Sequence, residues 1–130
     1  MASRTLSSKK KAILCAKAAK DKKAEDIIIL DVKNISSVAD YFIICTAASG
    51  RQMKAIYENI DEAVSQEGEG FHHIEGLHDS RWMLMDCYDV VIHIFDEETR
   101  DYYSLERLWG DAPRVELIPK AARVRHVKAG

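Results

Sequence analysis

The chain has few of the features that signal covalent chemistry or a membrane. Its 130 residues hold three cysteines, Cys15, Cys45 and Cys87, widely spaced and without a CxxC pair. That pattern argues against a disulfide framework or a zinc site and fits a reducing cytoplasm. No apolar run approaches the ~18 residues of a membrane span. The longest, "IIIL" and "VVIHIF", suit buried strands. The basic N-terminus has no apolar core of a secretory signal. It is acid-free up to Lys20, as organelle transit peptides are, but it reads as a helix belonging to the fold. There is no Gly-rich phosphate loop, no Walker lysine and no GxSxG elbow. The chain has no internal repeat, and its only prolines, Pro113 and Pro119, punctuate a C-terminal tail.

What is present points to one domain. A hydrophobic fraction of 47% over this length builds a single core and leaves no room for two ordinary domains. The net charge of -2 conceals a segregation. Residues 1–23 carry eight Lys/Arg against one Asp, and residues 114–130 carry five against one Glu. The centre, residues 24–113, therefore holds six Lys/Arg against 19 Asp/Glu. Such a centre repels a phosphate backbone and attracts a basic protein; the plainer reading is solubility alone.

Ser7 or Ser8 can cap a first helix running to about Lys23, with Ile13 and Leu14 facing the core. Strands follow around Ile27 to Leu30 and in "YFIICTAAS". Met53, Ile56, Tyr57, Ile60, Ala63 and Val64 keep the helical period, with Ser49 as cap and Gly68 as stop. A short strand around His72 to Glu75 and two strands, "WMLMDC" and "DVVIHIF", joined at Tyr88-Asp89, come next. Asp96 can cap a last helix that Gly110 ends. The expected architecture is α/β or α+β, a mixed sheet of about four or five strands with helices against it. The expected domain is 1–112, and the basic tail 113–130 reads as flexible.

Catalytic readings fare poorly. His78, Asp79 and Ser80 are the residue types of a hydrolase triad, but three adjacent side chains cannot form the required line, and a polar turn is the better reading. His72, His73, His78 and His93 match no metal-ligand spacing. His93, inside an apolar strand, needs a polar partner or a face open to solvent. Nucleotide transfer would need a Gly-Ser at a helix start and an acidic pair at a spacing of two; here the order is Ser49-Gly50, and Asp86 and Asp89 flank a turn. Asp31, Asp40 and Asp86 could converge only through folding. Recognition remains. Alternation puts Trp82, Leu84 and Asp86 on one strand face and Met83, Met85 and Cys87 on the other. Trp82 fits a docking anchor or the core equally well. In the last helix, Tyr102, Leu105 and Trp109 share a stripe that reads as core, and Arg100, Tyr103 and Arg107 share another, with Glu106 as an ion-pair partner.

Three segments together resemble the ribosomal silencing factor, or Iojap-like, family: "DVKNISSVADYFIICTAASGRQMKAI", "IEGLHDSRWMLMDCYDVVIHIF" and "ETRDYYSLERLWGDA". The likeness runs from about Leu14 to Ala112 and rests on Asp40, Ser49, Arg51, Glu75-Gly76, Trp82, Asp86, His93, Arg100, Tyr103, Leu105-Glu106 and Leu108-Trp109 in this order. It implies a nucleotidyltransferase-like fold without the catalytic signature, hence no enzyme activity and no cofactor. It implies binding to the large ribosomal subunit at protein L fourteen, a steric block to subunit joining when nutrients are short, and homodimers. The surface inferred from it has Trp82 as anchor, with Glu75, Asp86, Arg100 and Tyr103 around it. Two departures stand out: Tyr88 where the family usually has glycine, and the basic tail after Pro113, whose charge suits ribosomal RNA.

Overall fold

The computed structural model describes residues 7–68, 73–76 and 81–117. Helix α1 (Ser8–Asp21) starts where the Ser7 side chain accepts the Lys10 amide. Its buried face is Ala12, Cys15, Ala16, Ala18 and Ala19, so small residues bring it close to the sheet. Ile13 and Leu14, expected to lead that face, are only half-buried beside it. Strands β1 (Glu25–Asp31) and β2 (Tyr41–Thr46) pair antiparallel. A bulge between Glu25 and Ile28 puts Asp26 in the left-handed region, φ 52°. Helix α2 (Gly50–Gln66) buries Met53, Ile56, Ile60 and Val64.

Helix α2 carries the chain over the sheet, which makes β5 parallel to β2. Strands β3 (His73–Glu75), β4 (Trp82–Cys87) and β5 (Val90–Phe95) form an antiparallel meander. The full order is β3-β4-β5-β2-β1-β6, a mixed six-stranded sheet. The sixth strand, β6 (Arg114–Val115), lies where a flexible tail was expected. Arg114 pairs with Leu30, Val115 with Ile29, and the Pro113 carbonyl accepts the Asp31 amide at 2.8 Å. The unpaired outer edge of β1 supplies the reason: its amides need acceptors, and this segment provides them. Residues 118–130 lie outside the described residues.

The two sheet faces differ. One carries Tyr41, Ile43 and Cys45 of β2, Met83 and Met85 of β4, and Val90, Ile92 and Ile94 of β5, all packed under α1 and α2. The other carries a smaller cluster of Leu30, Phe42, Ile44 and Phe95, with Trp82, Leu105 and Trp109 against it. The expected single last helix is two: α3 (Glu97–Tyr103), capped by Asp96, and α4 (Leu105–Leu108). Ser104 between them is left-handed, φ 49° and ψ 51°. Helix α3 also turns a different side inwards from the one expected. Tyr102, expected in the core, is 79% exposed, and Arg100, expected at the surface, is buried.

The β4–β5 turn is also informative. Tyr88 adopts φ 68°, the conformation that glycine takes at least cost. Asp86 Oδ1 accepts the Tyr88 amide at 3.1 Å and so helps hold the turn with a bulky residue in place. Below it, the buried Lys11 ammonium lies 2.8 Å from Asp89 Oδ1 and ties α1 to the same turn.

Candidate functional site

The β3–β4 end of the second face, flanked by α3, brings together four of the five expected docking residues, Trp82, Glu75, Asp86 and Tyr103. Alternation along β4 presents Trp82, Leu84 and Asp86, all partly exposed, while Met83, Met85 and Cys87 are buried beneath α1 and α2. Glu75 is paired with Leu84, so it shares that face from the edge strand, and it is exposed. Tyr103, at the end of α3, lays its ring 4.8 Å from the Trp82 ring. The face thus combines aromatic area with carboxylates.

Trp82 is half in and half out. Its indole lies 4.9 Å from the Phe95 ring, and its Nε1–H donates to His93 Nδ1 at 3.2 Å. An indole nitrogen can only donate, so His93 Nδ1 must accept and the neutral imidazole carries its proton on Nε2. Burial favours the same state by pushing the imidazole pKa down to about 4. His93 therefore has the polar partner that an apolar strand demands. A cleft of about 370 Å³ opens beside Trp82, between Arg81 and the Glu98, Thr99, Tyr102 and Tyr103 side chains.

Arg100 leaves the expected surface. It is 7% exposed, and its Nη1 donates to the Asp26 carbonyl at 2.7 Å and to Thr46 Oγ1 at 2.8 Å. Its Nε reaches Glu106 Oε2 at 3.3 Å. The bulged Asp26 turns a carbonyl inwards, and the guanidinium is the group long enough to satisfy it. Arg100 thereby fastens α3 to β1, β2 and α4.

The remaining motif residues are spread through the fold. Asp40 sits before β2, its amide donating to the Asp89 carbonyl at 2.8 Å. Ser49 caps α2 by accepting the Gln52 amide at 3.1 Å, and Arg51 is exposed on the first turn. Gly76 holds φ 88° directly against the Trp82 carbonyl. Trp109 packs edge-on against Phe42, 5.1 Å between centroids. Sequence reasoning placed Leu84 on this face but missed Phe95, Phe42 and Tyr102 as parts of it. Strand register was the one available signal for Phe95 and Phe42. His78, Asp79, Ser80 and His72 lie outside the described residues. Asp31 is bound to Lys33, and Asp86 serves the Tyr88 turn. Among the described residues, no three His, Cys, Asp or Glu side chains are grouped to hold a metal ion.

Comparison with known proteins decides the family. The model described as "Ribosomal silencing factor during starvation" matches residues 5–129. This chain belongs to the ribosomal silencing factor family. It is 46% identical over 104 residues to "Ribosomal silencing factor RsfS" of Bacillus subtilis, covering 80% of this chain and 88% of that protein. A solved structure from Chromobacterium violaceum shares the fold with a TM-score of 0.78 and 33% identity, over 81% of this chain and 88% of that one. A second, from Bacillus halodurans, gives a TM-score of 0.70 and 40% identity, over 79% and 93%. The family is a regulatory one, named for silencing ribosomes, and the mixed α+β fold is its fold. No helix among the described residues is long and apolar enough to cross a membrane.

Proposed function

We propose that this chain represses translation in the cytoplasm by binding the large ribosomal subunit at its protein L fourteen, where its bulk keeps the small subunit from joining. The observation that carries this reading is the β3–β4 end of the second sheet face, beside α3. There Trp82 stands partly exposed among Tyr103, Leu84, Glu75 and Asp86 on an acidic chain. Aromatic anchors ringed by polar groups are the usual centre of a protein interface. Acidic neighbours suit a basic ribosomal protein and speed the encounter. A steric block requires no chemistry, only a complex that outlives the attempts at subunit joining, so the off-rate is the decisive quantity. The basic ends of the chain suit contact with ribosomal RNA, and a homodimer is a further state of the same reading.

The test is co-sedimentation with isolated large subunits. Trp82→Ala is expected to weaken binding by at least ~2 kcal/mol and to release the block on subunit joining. Unchanged binding by the folded variant removes Trp82 from the interface.

A further inference from the structure

Trp82 can work as an anchor only if its indole is held in one orientation. An aromatic side chain on the rim of a sheet has rotamers to choose from, and each one it gives up on docking lowers affinity. In this fold the choice is made in advance. Tyr103 and Phe95 approach the ring at 4.8 and 4.9 Å, tilted by 46° and 30°. Such contacts are apolar and tolerate sliding. Among the described residues, the directional contact is the hydrogen bond from Nε1 to His93 Nδ1 at 3.2 Å.

His93 is itself enclosed. It is 6% exposed on a central strand, between Leu84 of β4 and Ile44 of β2 in register. Phe42 meets its ring edge-on at 5.5 Å, and Phe95 lies parallel to it at an 8° tilt. These four neighbours among the described residues are apolar, and burial keeps the imidazole neutral with Nδ1 free to accept. An aliphatic residue would fill this place with less desolvation. A buried polar group retained at such a site fixes one arrangement of its neighbours rather than adding stability.

We infer that His93 is a positioning residue for recognition. From inside the sheet it locks the Trp82 indole by its Nε1–H and so presents the free edge of the ring, pre-oriented, to the partner. This inference rests on the docking role proposed for Trp82, and its experiment separates the two.

His93→Phe keeps a ring and removes the acceptor; His93→Leu removes both. His93→Asn places an amide oxygen near the former Nδ1 and restores an acceptor. Two readouts apply: hydrogen exchange at the Trp82 indole, identified by NMR through its loss in Trp82→Phe, and co-sedimentation with large subunits. The Phe and Leu variants are expected to speed indole exchange and to weaken binding by at least ~3-fold, as the loss of one hydrogen bond would. The Asn variant is expected to recover both. A folded Phe or Leu variant that loses indole protection yet binds like the wild type overturns the inference, while a weakened Trp82→Ala keeps the docking role. If Trp82→Ala binds unchanged, the docking role itself falls and the inference falls with it. Should neither acceptor-free variant fold, the wild-type chain decides: a Trp82 indole exchanging as fast as an exposed one overturns the inference.

Discussion

Arg100 shows how far a single side chain can sit from where its type suggests. Its guanidinium is nearly sealed, bonded to the Asp26 carbonyl, Thr46 Oγ1 and Glu106 Oε2. Glu106 Oε1 is buried too, with no hydrogen-bond partner among the described residues. Replacing Arg100 with Met would leave a carboxylate, a hydroxyl and a carbonyl without their donor. The expected loss is about 3 kcal/mol of stability, measured by urea denaturation. A surface arginine would cost a small fraction of that. The same residue marks a limit of sequence reading. Charge in a helical stripe reads as solvent-facing, and the acceptor that draws Arg100 inwards comes from a bulge 74 positions away. Lys11, buried against Asp89 over a separation of 78, is unreadable for the same reason.

At the scale of elements, short-range patterns were the legible part. The period of two along β4 sorts Trp82, Leu84 and Asp86 from Met83, Met85 and Cys87, and the fold keeps that division. Ser49 was recognisable as a cap because its own helix needs an acceptor three residues along. Strand β6, with two residues, is too short to show any period, and only pairing with β1 defines it. The placement of β3 against β4 depends on Gly76. A methyl group there would run into the Trp82 carbonyl, and the left-handed φ already disfavours any side chain. Gly76→Ala is expected to cost more than about 1 kcal/mol of stability. It should also weaken large-subunit binding by displacing the Trp82 backbone. Denaturation and co-sedimentation on one preparation read both effects.

At the scale of the molecule, charge and architecture act together. The segregation between an acidic centre and basic ends was plain in composition, whereas which sheet face stays open was not, because that depends on where α3 and α4 come to rest. If an acidic face meets a basic partner, long-range attraction contributes to the encounter. Raising ionic strength from about 0.05 to 0.3 M shortens the screening length from roughly 14 to 6 Å. The expected outcome is a lower association rate with large subunits and a nearly constant dissociation rate, resolved by stopped-flow or surface-based kinetics. A dissociation rate that carries the whole salt effect would place the decisive charges inside the contact rather than around it.

The left-handed Ser104 has a consequence for how such a protein can change over generations. It separates two aromatic residues six positions apart, Tyr103 against the half-exposed Trp82 and Trp109 against the inner Phe42. On an unbroken helix their orientations would be coupled, and any adjustment at one would disturb the other. With the helix divided, the outer residue can drift to follow whatever meets that face while the inner one goes on holding the fold.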